Sequence, residues 1–194
     1  MESKSLVNIK SFKNNSGDNF GKVMLSDKVG LNINFDKSDL IKDKIGEIKQ
    51  DTTYHYYCRN EWGLHDIVIY IAQKIGPCKL YFCTWSIGNE AIITLNECKQ
   101  QGLFSQIYGI LSNRVIHNHP DIYNAACNAF DKVVLAELHA KVAVLENENW
   151  TISMFGSSNM TLNPRIERNA IVTDKIVAAA DRDFLLKIIE KDEA

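Results

Sequence analysis

The sequence predicts an α/β domain in which a mixed central sheet is flanked by helices. Three observations carry this prediction: helical and strand patterns alternate from residue 64 onward, glycine and proline separate them, and a polar hairpin joins two late strands. Alternating elements imply a largely parallel sheet, and the hairpin over 146–149 adds an antiparallel component. The predicted architecture is therefore a mixed-sheet α/β sandwich.

The first elements of this domain have the clearest patterns. Apolar residues over 64–75 recur at helical spacing, and Gly76 with Pro77 ends that helix. The β-rich apolar run at 80–85 predicts a strand, and a second helix is expected over 89–101.

The second half of the chain continues the alternation and then becomes rich in strands. Residues 107–111 predict a strand, and Pro120, a residue favoured at the first position of a helix, opens the next apolar stripe. The remaining predictions are strands over 133–135, 141–145, 150–155 and 170–172, and a final helix over 174–191.

The chain is long enough for one domain with an N-terminal extension. Residues 1–60 are rich in turn signals and Lys and carry weak patterning, so we assign them to an extension of uncertain structure, with short strands expected at 22–25 and 31–35. The domain is predicted over 61–194.

Composition places the chain among soluble globular proteins. It is 45% hydrophobic and 24% charged, and no apolar run approaches the ~20 residues that span a bilayer, so we expect a cytoplasmic protein with no membrane association. Its five cysteines form no CxxC pair, which predicts reduced thiols and no structural zinc site. The net charge of -2 neither supports nor excludes a nucleic-acid partner.

A histidine and a lysine two residues apart are the first candidates for chemistry. In a strand His139 and Lys141 would project from the same face, so imidazole and ammonium would stand side by side and form a pocket for an anion. Such a pair taken alone is more often an ordinary surface feature.

A second candidate follows the predicted hairpin. Its segment 156–159 combines a glycine that lets the backbone approach a ligand, hydroxyl donors and an uncharged amide. Its members are Gly156, Ser157, Ser158 and Asn159. Arg165 and Glu167 then bring an arginine and an acid within reach. Taken alone, the segment is more typical of an ordinary turn at the end of a strand.

Together these residues resemble the signature of the phospholipase D superfamily. That signature is His-x-Lys, four residues and an Asp, then a strand with Gly-Ser-x-x-Asn or Gly-Ser-x-Asn, and a later Glu. The matching residues are His139, Lys141, Gly156, Ser157, Asn159 and Glu167. The motifs cover 139–167, and the α/β pattern extends the resemblance loosely over 64–190. Two features depart from it: the Asp position is Glu146, and the interval from there to Gly156 is longer than usual.

The resemblance implies a phospholipase D-like sandwich, with 61–194 as its catalytic domain, and a phosphohistidine mechanism that uses neither metal nor other cofactor. One neutral histidine attacks phosphorus, a second, protonated histidine gives a proton to the leaving oxygen, and water releases the phosphoryl group. The catalytic residues it implies are His139, Lys141, Asn159 and Glu167. The phosphate-binding or supporting residues are Gly156, Ser157, Ser158, Glu146 and Arg165.

The chain has one His-x-Lys, whereas this chemistry needs two histidines. Single-motif relatives, many of them nucleases, form the site across a two-fold interface, so we expect a homodimer. The predicted function is a phosphodiesterase acting on nucleic acid. The alternatives are a phosphodiesterase acting on lipid, and a nucleic-acid-binding or assembly module of the same fold whose catalysis has decayed.

Other patterns favour structural roles. His117 and His119 have the spacing of a metal pair but precede Pro120, which favours a cap or loop. The aromatic cluster over 54–65 favours packing over base stacking. Residues 84–86 end a strand, where the loops of α/β proteins often line sites.

Overall fold

The computed structural model describes residues 36–191, with the side chains of Asp36 and Ser38 excepted. The chain divides into two compact units, the first ending at Gly46 and the second beginning at Glu47. The described part of the first unit contains helix α1 (Asp36–Ile45), which the weak patterning of the N-terminal segment did not indicate. The strands predicted at 22–25 and 31–35 lie outside the described residues.

The second unit contains all the strands described and five helices. In chain order its elements are β1 (Thr53–Arg59), α2 (Leu64–Ile75), β2 (Cys78–Thr84), α3 (Asn89–Gln100), β3 (Phe104–Ser112), α4 (Asn113–Asn118), α5 (Pro120–Ala129), β4 (Lys132–Ala136), β5 (Val142–Glu146), β6 (Thr151–Gly156), β7 (Ile166–Val172) and α6 (Lys175–Lys191).

The seven strands form one mixed sheet in the order β1-β7-β6-β5-β2-β3-β4. Strands β2, β3 and β4 are parallel, while the pairs that join β1, β7, β6, β5 and β2 are antiparallel. The predicted α/β class with a mixed sheet and flanking helices is confirmed.

Strand β1 was not predicted, and it lies inside the segment assigned to the extension. It pairs with β7 along its whole length, so the sheet begins at Thr53 and not after residue 60. The sequence did not indicate this strand because aromatic residues occupy both of its faces: Tyr56 is buried, whereas Tyr57 is 60% exposed. Because both faces carry aromatic side chains, the apolar/polar alternation that marks a half-buried strand is weak here.

The helices cover the two faces of the sheet unequally. Helices α2, α3 and α5 pack together on one face, where the ring of Phe82 meets Phe130 edge-on at 5.7 Å. Helix α6 packs on the other face, which we call the α6 face. The buried residues of this second layer are Tyr81, Cys83, Ile110, Val144, Leu185 and Ile189.

Five strand ends meet at one edge of the sheet, which we call the site edge. There β1, β2 and β6 end and β5 and β7 begin, as shown by the register pairs Cys83 with Val142, Gly156 with Asn169, and Arg59 with Ile166. The antiparallel course of these strands brings segments that are far apart in the sequence to one place. Among residues 36–191, no helix is long and apolar enough to cross a membrane.

Candidate active site

The structure brings His139 and Lys141 together in the loop that enters β5. The sequence predicted both in a strand, but the strand begins at Val142, and the contact arises because the Lys141 side chain folds back along the loop. Its Nζ lies 2.6 Å from the His139 carbonyl oxygen and 3.2 and 3.3 Å from the ring atoms Nδ1 and Nε2. The ammonium therefore sits directly beside the imidazole.

These two side chains differ sharply in exposure. Lys141 is 7% exposed, whereas His139 is open to solvent. Burial lowers the pKa of Lys141, and the nearby Glu167 carboxylate acts in the opposite direction. A buried cation next to an open imidazole is suited to draw a small anion onto that imidazole.

Glu167 supplies the negative charge near Lys141. It is 7% exposed, and its two carboxylate oxygens have separate partners. The Ser157 hydroxyl donates to Oε2, and Nδ2 of Asn163 donates to Oε1 at 2.7 Å. The carboxylate is therefore held in one orientation, and the Ser157 hydroxyl is tied to it.

The loop at 156–159 continues the ladder between β6 and β7. The Ser157 N–H donates to the Arg168 carbonyl at 3.1 Å, and the Arg168 N–H donates to the Ser157 hydroxyl at 3.0 Å. The Gly156 N–H donates to the Lys141 carbonyl at 3.3 Å. These hydrogen bonds connect Lys141, just before β5, to the loop after β6, and they connect that loop to β7, which contains Glu167.

Asn169 fixes the loop from behind and was not singled out from the sequence. The Ser158 N–H donates to its Oδ1 at 3.1 Å, and its Nδ2 donates to the Ser158 hydroxyl at 2.8 Å. Both residues are buried, so Ser158 supports the loop from the interior, while Ser157 is exposed. In the sequence Asn169 is a single amide residue beside the apolar part of β7, and such a residue belongs to no motif that would mark it as functional.

Asn159 lies where the loop meets the end of β2 and the start of α2. Its carbonyl accepts from the Leu64 N–H at 3.1 Å, and its Oδ1 lies 3.4 Å from the Thr84 hydroxyl. The next residue, Trp85, stacks obliquely on His139, with ring centroids 5.8 Å apart and planes at 57°. Residues 84 and 85, which the sequence indicated as the end of a strand beside a site, therefore do contact the candidate residues.

Comparison with solved structures gives consistent similarity to one fold. Nuc, a phospholipase D family member from Salmonella typhimurium, superposes with a TM-score of 0.55 at 14% identity, covering 71% of this chain and 93% of that one. NucT from Helicobacter pylori superposes with a TM-score of 0.52 at 12% identity, covering 72% and 97%. The chain has the fold of these structures, one of which is a phospholipase D family member. A third similar structure is the polyphosphate kinase from Porphyromonas gingivalis, with a TM-score of 0.53 at 15% identity over 72% of this chain and 26% of the kinase.

Sequence comparison adds nothing to this assignment. No protein-family model matches the chain, and no curated protein matches it significantly. The fold assignment thus rests on the structure.

Glu146, which stands at the Asp position of the phospholipase D signature, is not brought to the site. It ends β5 at the edge opposite the site edge, in register with Lys79 and Thr151, and its carboxylate pairs with Arg182. Arg165 lies on the exposed loop before β7, where its N–H donates to Oδ1 of Asn163 at 3.1 Å. It is near the site edge but outside the cluster of Lys141, Glu167 and Ser157.

The histidine pair next to Pro120 occupies two helix ends. His117 lies in the last turn of α4, and His119 stands between α4 and α5. Within residues 36–191, no three His, Cys, Asp or Glu side chains are grouped so that they could hold a metal ion.

Replacing Gly156 with Ala tests how closely this loop is packed. A Cβ at this position would overlap Oδ1 of Asn169 and the Arg168 carbonyl oxygen and lie 2.7 Å from the Asn169 Cα. We expect Gly156→Ala to lower the free energy of unfolding by about 2 kcal/mol, since backbone must move. Urea denaturation at one fixed protein concentration measures the change.

Gly88→Ala is the matched control, because the nearest atom to its added Cβ is 3.6 Å away. Gly88 is the N-cap of α3, where Gly is favoured over Ala, so the substitution should lower the free energy of unfolding by less than about 1 kcal/mol. Equal effects of the two substitutions would show that the close approach of Gly156 to Asn169 is not a constraint.

Proposed function

We propose that this protein is a metal-independent phosphodiesterase acting on nucleic acid, a nuclease whose site is completed by His139 of a second copy of the chain. The observation that carries the proposal is the buried Lys141 ammonium in contact with an exposed imidazole. The phospholipase D fold supports the same reaction class.

Lys141 and Asn159 would bind the non-bridging oxygens of a phosphodiester. The ammonium supplies charge from a buried position, where its attraction for an anion is little screened. The Asn159 Oδ1 lies near Thr84, which leaves the amide nitrogen as a donor without added charge. Glu167 limits the net positive charge of the pocket and orients Ser157.

His139 would attack the phosphorus. A neutral ring nitrogen forms the P–N bond while the bond from phosphorus to the leaving oxygen breaks. The leaving oxygen takes a proton from an acid, and water then cleaves the P–N bond and returns the imidazole. Trp85, packed on the imidazole, would restrict the orientation of the ring.

The acid for the leaving oxygen must come from outside the described cluster. Of the five histidines, His139 is the one at the cluster; His55 lies in β1, His65 is buried in α2, and His117 and His119 lie at the ends of α4 and α5. A two-fold axis beside His139 would bring a second imidazole to the same phosphorus. One copy then attacks and the other donates the proton.

Exposed arginines favour a polyanionic substrate. Arg59, Arg165 and Arg168 are exposed on or beside the strand ends that form the site edge. Such side chains suit the phosphates that flank the cleaved bond in a nucleic acid. This local basic patch can bind a polyanion although the whole chain is slightly acidic.

Incubation of the full chain with single- and double-stranded DNA and RNA in EDTA tests the reaction class. We expect cleavage by the wild type and a loss of at least about 10³-fold in His139→Ala, because the nucleophile is removed. His117→Ala, an exposed histidine elsewhere, is the matched control and should retain activity. A ³²P-labelled substrate should leave acid-labile label on the wild-type protein.

Three results would contradict the assignment. Cleavage that EDTA abolishes would exclude the metal-independent mechanism. Binding of nucleic acid without cleavage would assign the protein to the catalytically decayed binding modules. Hydrolysis of a phospholipid diester alone would move the substrate class to lipid.

The pH profile should report the buried lysine. Activity falls as pH rises through the lowered pKa of Lys141, because the ammonium loses the charge that holds the phosphate. The alkaline limb should therefore lie below the ordinary lysine value of 10.5. In Lys141→Arg the guanidinium stays protonated, so the limb of the normalised profile should move to higher pH.

Lys187→Arg, on the exposed side of α6, should leave the limb in place. An unchanged limb in Lys141→Arg would show that another group titrates there.

A further inference from the structure

We infer that the outer strand of the sheet carries a binding site for single-stranded nucleic acid, in which a base stacks on Tyr57 and the flanking phosphates bind Arg59 and Arg168. We call these three residues the stacking platform. The inference rests on the proposed function and narrows it, since it names the form of nucleic acid that the site edge accepts. A base inside a duplex already has neighbours on both of its faces, so stacking on a side chain selects an unpaired strand.

Tyr57 is the exposed member of the aromatic cluster over 54–65. Tyr56 and Trp62 are buried, with their ring centroids 6.3 Å apart, and the Tyr54 hydroxyl bonds to the backbone of residues 47 and 49. Tyr57 is 60% exposed although it lies inside β1 and not in a turn. Packing therefore accounts for the other two tyrosines and the tryptophan of this cluster, and not for Tyr57.

Two arginines flank this ring on the same face of the sheet. Residues two apart in a strand project from one face, so Arg59 lies roughly 7 Å from Tyr57 along β1. Arg168 of β7 stands directly opposite Tyr57, and directly opposed side chains of antiparallel strands are neighbours. Both arginines are exposed, and Nε of Arg59 donates to the Pro164 carbonyl at 3.1 Å, which holds its guanidinium at the strand end. Cations beside an exposed aromatic ring are typical of surfaces that bind single strands.

The stacking platform lies in line with the candidate nucleophile. The row formed by Tyr57 and Arg168 continues across the sheet to Ser157, whose N–H donates to the Arg168 carbonyl at 3.1 Å. The next strand across is β5, and the loop that enters it contains His139. With ~4.8 Å between neighbouring strands, Tyr57 lies roughly 15 Å from that loop. A single strand bound at His139 can therefore cross the strand ends and place a base on Tyr57 a few nucleotides from the cleaved bond.

The surroundings of the stacking platform suit a phosphate backbone. Strand β1 is the outermost of the seven strands, so no further strand among the described residues borders the platform on that side. The residues of β1 on this face are all exposed: Thr53, His55, Tyr57 and Arg59. Neither these residues nor the β7 residues opposite them carry a negative charge, so their shared surface does not repel a polyanion.

Fluorescence anisotropy of a labelled oligonucleotide, alone and annealed to its complement, tests the site. The full chain carries His139→Ala and the buffer contains EDTA, so that binding is measured without cleavage. We expect the single strand to bind at least about 10-fold more tightly than the duplex. Tyr57→Ala should weaken single-strand binding by about 10-fold and change duplex binding by less than about 2-fold, whereas Tyr57→Phe keeps the ring and should keep the affinity.

Control variants match these changes in exposure and in charge. Phe184 is 60% exposed, as Tyr57 is, but lies on α6, so Phe184→Ala should leave single-strand binding unchanged. Arg168→Ala should weaken single-strand binding and reduce the slope of its salt dependence by about one phosphate contact. Lys79→Ala removes an exposed cation at the opposite edge of the sheet and should leave that slope in place.

Photo-cross-linking locates the stacked base. A single strand that carries 5-iodouracil is irradiated with the His139→Ala chain, and peptide mass spectrometry identifies the modified residue. We expect the cross-link at Tyr57, since that ring lies against the base. The product should be absent with the duplex and in Tyr57→Ala.

These readouts separate the stacking platform from the proposed function. Single strands that bind at Tyr57 but are not cleaved by the wild type support the platform while the proposed function fails. Failure to bind a single strand, duplex binding of equal strength, or a cross-link outside β1 and β7 overturns the platform, whatever the cleavage assay gives. If Tyr57→Ala loses a dimer in sedimentation yet binds single strands as before, the exposed ring serves a protein interface, which also overturns it.

Discussion

The candidate site depends on a buried ammonium that contacts both an imidazole and the backbone. Lys141 is removed from solvent, which disfavours its charge, and the His139 carbonyl at 2.6 Å together with the Glu167 carboxylate offset that cost. Glu167 can do so because Ser157 and Asn163 hold both of its oxygens. The Lys141 ammonium at the same time lies 3.2 and 3.3 Å from the two ring nitrogens of His139.

The strand order explains how these groups meet. Strands β5, β6 and β7 are antiparallel neighbours, so the loop entering β5, the loop leaving β6 and the start of β7 lie at one edge. Asn169 then secures the loop by bonding both the N–H and the hydroxyl of Ser158, with no room at Gly156 for a side chain. The candidate site is thus built where the loops at the ends of three paired strands meet.

Much of the domain could be predicted from local pattern, and the remainder depends on tertiary contacts. Helix α2 follows from apolar spacing, and Gly76 ends it as predicted. The motif residues His139, Lys141, Ser157 and Glu167 do converge, although Lys141 reaches His139 by folding back in a loop and not through the pleat of a strand. Strand β1 has aromatic residues on both faces and is recognisable only through its pairing with β7. Glu146 matches the signature by position, but strand β5 carries it to the far edge.

The central claim is that one phosphoryl group is shared by His139 from two copies of the chain, and subunit mixing tests it most directly. Wild-type and His139→Ala chains are mixed in equal amounts, allowed to exchange, and assayed against the same total amount of wild type. If both imidazoles are needed, mixed dimers are inactive and activity falls to about one quarter, the share of wild-type pairs in a random two-fold assembly. Activity of about one half would show that each chain acts alone and would contradict the shared site.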